Sequence, residues 1–303
     1  MKLVTIAIDN QWHLGVKTEE AVLDLTAALA QRPQEGLPND ITDLIRNWTA
    51  SSANLQRYVA ELQASTEGLS GVVLQESDIT YGPCVPEPGK IICVGLNYRK
   101  HAEETNAAIP AYPILFNKFS NTIAAHQTDI PLPIRVTNQV DYEAELVIVI
   151  GKQAKYVDKA DALNYVLGYC NVNDLSARDL QMRTPQWLLG KSCDKFSPLG
   201  PYLVTADEVG NPNNLSIKCT VNGEVRQQSN TSDMIFYCDE IVSYISQHMT
   251  LSPGDIILTG TPEGVVLGKP EAERVYLKHG DVVTIEIEKL GALTNRMVDE
   301  IVE

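Results

Sequence analysis

The sequence predicts a mixed, β-rich α+β chain, with a small N-terminal α/β accessory domain over residues 1–82, a linker at 83–89 and a larger domain over 90–303. Three observations lead there. The run Gly82-Pro83-Cys84-Val85-Pro86-Glu87-Pro88-Gly89 holds three prolines in six residues, which neither a helix interior nor a central strand accepts. Downstream of it, short β-branched segments alternate with Pro, Gly and Asn breakers, the pattern of a mostly β domain. Upstream, apolar residues keep helical spacing.

In chain order, LVTIAI, a turn at Asp9-Asn10 and WHLGV read as a hairpin. Over 40–62, Ile41, Leu44, Ile45, Trp48, Leu55, Tyr58, Val59 and Leu62 mark helical segments, with Asn39 or Asp40 as N-cap. From Lys90 onward the expected strands are KIICVG, PILFNKF, AELVIVIG, YVLGYCNV, YLVT, LSIKCTV, DIILTGT, VVTIEIE and LTNRMV. Asn222-Gly223 should form a type I′ hairpin turn. Helices are few: LNYRKHAEE (96–104) and CDEIVSYISQHM (238–249).

Composition narrows the function classes. A net charge of −15 repels nucleic acid at long range, so an anionic ligand needs a local cationic pocket. No apolar run approaches the ~20 residues of a membrane span. The six cysteines form no CxxC pair and MKLVTIAIDN lacks the apolar core of a signal peptide, which leads us to expect a reducing cytoplasm. No GxSxG elbow, phosphate loop or GxGxxG is present, and five histidines without an H-x3-H pair disfavour zinc.

The most informative segment is DYEAELVIVIG (141–151). On a strand, Glu143, Glu145, Val147 and Val149 share one face, while Ala144, Leu146, Ile148 and Ile150 share the other. A strand apolar on both faces is buried, and two adjacent buried carboxylates need a cation or a proton. A second pair, Glu286 and Glu288 in VTIEIEKL, lies opposite Val283, Ile285 and Ile287 and reads as the solvated face of a half-buried strand.

Other polar residues fall where strands end. Asp174 in NVNDLSARDLQ follows YVLGYC, ahead of a short helix that puts Arg178 and Gln181 on one face; alone, this also fits an N-cap and a solvated turn. Lys191 follows the apolar Trp187-Leu188-Leu189, and His101 and Glu104 stand three apart on their helix. A partly desolvated lysine and a carboxylate-oriented imidazole suit catalysis, although either fits a surface setting taken singly.

Read together, GLNYRKHAEE, FNKFSNT, DYEAELVIVIGK, NDLSARDLQ, GKSCDKFSPLGP and PGDIILTGTPEGV resemble the fumarylacetoacetate hydrolase family, in its motif order, over about Lys90 to Val298. The resemblance implies a β-roll catalytic domain, a homodimer, and one divalent metal held by Glu143, Glu145 and Asp174. All-oxygen ligands favour Mg²⁺ or Mn²⁺. By the same resemblance Lys118, Arg178, Gln181 and Thr261 bind a small anionic 2-oxo acid, and His101, Glu104 and Lys191 are catalytic.

Hydrolysis of the C–C bond of a 2,4-dioxo acid through a metal-stabilised enolate is the first expectation, because the water-activating His101/Glu104 pair is intact. Oxaloacetate decarboxylation and 2-oxo acid isomerisation or tautomerisation are the alternatives, and a non-catalytic metal or ligand binder is the alternative from another class. The substrate's tail is expected against residues 100–112, the loop 182–190 and the accessory domain, with Tyr98, Tyr112 and Trp187 as wall residues.

Overall fold

The computed structural model describes residues 1–9 and 11–301. Its architecture is the mixed, β-rich α+β type expected. Strands Lys2–Ile8 and Gln11–Lys17 pair antiparallel as the first hairpin; the Asn10 half of its turn lies outside the described residues. Helices Ile41–Arg46 and Trp48–Ala64 follow, the first capped by Asp40, whose side chain accepts from the Asp43 N–H.

One eleven-stranded sheet dominates. Its order runs Val73–Leu74, Val22–Asp24, Gln11–Lys17, Lys2–Ile8, Ser197–Thr205, Val166–Asn173, Ala144–Ile150, Ile256–Leu258, Ile91–Gly95 and Ile114–Lys118, with Ile123–Ala125 paired to Ser197–Thr205. Ala144–Ile150 is thus interior, antiparallel to both neighbours and buried at every residue. A second sheet orders Glu224–Asn230, Ser216–Val221, Val282–Ile287, Gly291–Asp299 and Ile130–Leu132. Asn222 and Gly223 both take positive φ, as a type I′ turn requires.

The two faces of Ala144–Ile150 enter different cores. Leu146 and Ile148 pack with Ile217, Ile285 and Ile287 of the second sheet and Ile241 and Ile245 of helix Cys238–His248. Val147 and Val149 join Leu44, Ile45, Leu55 and Tyr58 from the N-terminal helices. The apolar doubling read from the sequence therefore reflects a cover on each side.

The segment 83–89 does not separate two sheets. Lys2–Ile8 pairs directly with Ser197–Thr205, and Cys84 and Val85 are buried in the core shared by both parts of the chain. Composition could not show that a proline-rich crossing is packed. The strand expected from Tyr202 starts at Ser197, because Pro198 and Pro201 read as breakers although they lie within a described strand.

Candidate active site

The site lies at the N-terminal end of the Ala144–Ile150 strand. Glu143 and Glu145 flank its first residue, and Asp174 follows the neighbouring strand, its backbone N–H donating to the Glu143 carbonyl at 2.9 Å. Glu143, Glu145 and Asp174 each offer an oxygen within 4.8 Å of the others, and all three are buried.

A buried set of cations faces them. Lys191 Nζ lies 2.7 Å from Glu143 Oε2 and 2.7 Å from Asp174 Oδ2. Arg178 Nη1 lies 2.8 Å from Glu143 Oε1 and donates to Gln181 Oε1 at 2.9 Å, while its Nε donates to Asp141 Oδ2 at 2.8 Å. Lys118 Nζ donates to Asp174 Oδ1 at 2.5 Å and to the Phe196 carbonyl at 2.7 Å. Short helices 178–181 and 188–191 approach closely because Gly190 has no side chain: a Cβ there would come within 2.5 Å of the Gln181 backbone nitrogen. That approach seats Lys191 between two carboxylates.

The arrangement splits the two glutamates. Burial pushes the Glu143 carboxyl up, but Lys191 and Arg178 outweigh it and hold it at about 2. Burial, reinforced by repulsion from Asp174 and Glu143, pushes Glu145 well above the ordinary carboxylate range. Its Oε2 accepts the Gly260 N–H at 2.7 Å, and among the described residues no cationic side chain pairs with it. Gly260 holds φ +96°, and a Cβ there would meet Asn97 at 2.8 Å, so glycine suits this close approach. A buried carboxylate lacking a cation, beside two more hard oxygen donors, fits a divalent ion such as Mg²⁺ or Mn²⁺. Lys191 shifts the other way: burial lowers it, but Asp174 and Glu143 raise it above the ordinary lysine value, so it remains an ammonium.

The triad opens through Glu143 and Glu145 into a cavity of about 510 Å³. His101, Glu104, Arg178, Gln181, Lys191 and Thr261 line it too. His101 Nδ1 is 2.7 Å from Glu104 Oε1, and Glu104 Oε2 accepts the Gly264 N–H at 2.9 Å, leaving Nε2 as the ring nitrogen without that partner. Thr261 Oγ1 accepts from Gln227 Nε2 at 2.8 Å.

The structure places nine of the ten residues singled out from the sequence at the cavity or in its carboxylate triad. The exception is Lys118, expected to bind substrate: it does not line the cavity, and its ammonium is committed to Asp174 and Phe196. Sequence reading could not see that Lys118, the last residue of the strand Ile114–Lys118, pairs with Asp174. The accessory region 1–82 contributes no described residue to the wall. Tyr98 is fully buried and Tyr112 is 71% exposed; neither lines the cavity, whereas Trp187 does. In their place the segment 267–270 and Arg274 complete it.

Two supporting residues were missed. Asp141 is fully buried and accepts from Arg178 Nε and from the Val266 and Leu267 N–H groups at 3.0 Å, tying the guanidinium to the cavity wall. Gln227 accepts the Ala144 N–H at 2.9 Å while donating to Thr261, linking the glutamate strand to the opposite rim. Asp141 directly precedes the Tyr-Glu-Ala-Glu run, a signal that was visible; Gln227 sits on a strand whose only apolar residue is Val225 and gave none.

Comparison with known proteins adds independent findings. Residues 90–298 match the family model described as the fumarylacetoacetate (FAA) hydrolase C-terminal domain. The fumarylacetoacetate hydrolase domain-containing protein 2 homolog of Dictyostelium discoideum is 53% identical over 297 residues, 94% of this chain and 92% of that protein. Oxaloacetate tautomerase FAHD2A, mitochondrial, of Bos taurus is 43% identical over 291 residues, 94% of this chain and 87% of that protein. Among solved structures, maleylpyruvate hydrolase from Sphingobium sp. SYK-6 in complex with manganese(II) and pyruvate aligns with TM-score 0.78 and 28% identity, covering 99% of this chain and 100% of that one.

Proposed function

The chain belongs to the fumarylacetoacetate hydrolase family, and from that premise we propose that it is a divalent-metal-dependent 2-oxo acid tautomerase that interconverts the keto and enol forms of oxaloacetate. The observation that carries this reading is a proton-transfer pair, His101–Glu104, on the wall of the cavity that the carboxylate triad and Lys191 share. The oxaloacetate tautomerase name of the bovine relative supports the choice of substrate. Tautomerisation therefore replaces C–C hydrolysis as the favoured reaction.

Glu143, Glu145 and Asp174 would hold the divalent cation, which when bound supplies Lewis-acid polarisation of the substrate's 2-oxo group. This chain's residues do the rest. Arg178, Gln181 and Thr261 orient the adjacent carboxylate, and Asp141 fixes the angle of the guanidinium. Glu104 holds the imidazole through Nδ1, so Nε2 takes a proton from C3 and returns it at the 2-oxo oxygen. Lys191, kept charged, offsets the negative charge that develops on that oxygen. No water or redox partner is consumed, and the products balance.

A second reading keeps the same groups but lets the dyad activate water against a C4 carbonyl, giving hydrolysis of a 2,4-dioxo acid; the name of the Sphingobium neighbour favours it. One assay separates them. Metal-loaded protein is given enol-oxaloacetate and, separately, acetylpyruvate, following enol absorbance and pyruvate release. We expect faster enol loss without pyruvate, reduced by about 10²-fold or more in Glu104→Gln with Mn²⁺ affinity retained. Enol decay at the buffer rate would overturn the tautomerase reading, and release of pyruvate from acetylpyruvate would favour hydrolysis.

A further inference from the structure

We propose that Lys269 and Arg274 form a second anion site on the cavity wall, which receives the distal carboxylate of a dicarboxylic 2-oxo acid. The proposal deepens the tautomerase reading and rests on it for the location of the first carboxylate. Both residues line the cavity that contains Glu143, Glu145 and Arg178. Arg274 is held in place: Nε donates to the Lys269 carbonyl at 3.0 Å and Nη2 to the Leu267 carbonyl at 3.0 Å. Those bonds fix the guanidinium plane while leaving its charge without a counter-ion. Among the described residues neither Lys269 nor Arg274 pairs with a carboxylate, in a chain whose acidic residues outnumber its basic ones 39 to 24. Two cations left unpaired on one cavity wall in so acidic a chain call for an anion from outside.

The inner charge balance points the same way. With Glu145 deprotonated, as metal binding requires, Asp141, Glu143, Glu145 and Asp174 oppose Lys118, Lys191 and Arg178, one positive charge short before Glu104 is counted. A divalent ion converts that deficit into a surplus of one, which a single substrate carboxylate cancels. A second carboxylate has no compensation among the inner groups and would be repelled by Glu104. Lys269 and Arg274 offer it. The cavity has room, since a four-carbon diacid fills only part of about 510 Å³.

The test uses binding, so that it does not depend on turnover. Full-length Mn²⁺-loaded protein is titrated calorimetrically with two length-matched pairs, 2-oxoglutarate against 2-oxopentanoate and 2-oxoadipate against 2-oxohexanoate. In at least one pair the diacid should bind about tenfold tighter or more, and Lys269→Gln/Arg274→Gln should erase that preference while changing monoacid affinity less than about twofold. Because Arg274 also caps two carbonyls, Lys269→Gln alone, which leaves those bonds intact, should weaken the diacid about threefold. Equal affinity within both pairs, or a preference that survives both variants, overturns the proposal. A diacid preference in protein that does not tautomerise oxaloacetate would leave this site standing and remove the activity; tautomerisation without the preference would do the reverse.

Discussion

Two of the chain's Glu-x-Glu pairs, each at one end of a strand, share a spacing and differ in nearly everything else. Glu286 sits on Val282–Ile287, whose alternate residues Val283, Ile285 and Ile287 are buried, and it meets Lys218 across the sheet at 2.5 Å with both side chains about 40% exposed. Glu143 and Glu145 are 5% and 3% exposed, at the head of a strand covered by a second sheet on one face and by helices on the other. The spacing of the acids carries no information by itself. Their neighbours decide: apolar residues on one face leave a carboxylate its water, whereas apolar residues on both faces remove it and create the need for a cation.

The largest expected difference is in metal affinity. Glu143→Ala should weaken Mn²⁺ binding by several orders of magnitude, since one of three ligands is lost, and Glu286→Ala should leave it unchanged; calorimetric titration of both checks this, and equal affinities would break the contrast. Next come the cations facing each pair. Lys118→Met strands Asp174 without one of its buried partners and should cost about 3–5 kcal/mol in chemical denaturation, whereas Lys218→Met should cost less than about 1 kcal/mol.

Smaller, but specific to the buried pair, is the response to pH. Glu143 is held low, at about 2, so its contribution to stability is complete above the unfolded glutamate value of about 4.3 and is lost as pH falls towards 2. Glu145 is raised, so its neutral form stabilises below that unfolded value and the contribution disappears as pH rises through its folded value. Metal-free protein should therefore lose thermal stability on that rise, and Glu145→Gln should not. Mn²⁺ affinity should strengthen over the same rise, because binding displaces the Glu145 proton. Smallest of all, Asp141→Asn should raise KM for oxaloacetate about tenfold through a misaligned Arg178, with kcat and metal affinity nearly kept; a fall in kcat alone would remove Asp141 from substrate positioning.

The same contrast explains what the sequence made legible. Glu143 and Glu145 stood out because strand periodicity is short-range and Val147, Val149, Leu146 and Ile148 lie within six residues of them. Asp174, Arg178, Gln181, Lys191, Thr261 and the His101–Glu104 pair became legible only through the family's motif order, since each taken singly fits an ordinary surface or cap. The pairing of Lys118 with Asp174 was not legible because the two lie 56 residues apart, and the 267–274 wall was missed because a short, coil-like segment has no periodicity to read. The proline-rich crossing misled for the opposite reason: its composition is strongly local, while its burial comes from a sheet that joins residue 3 to residue 203.

That junction has a bearing on how the molecule can be cut. A fragment beginning at Lys90 would keep every residue assigned to catalysis, yet it would bare the hydrogen-bonding rim of Ser197–Thr205 where Lys2 and Leu3 now dock, and it would strip the helical roof from Val147 and Val149. Open rims and unroofed aliphatic patches invite other copies to dock in their place. No described residue among the first eighty lines the cavity; their part is to close the rim and roof of the sheet that carries it.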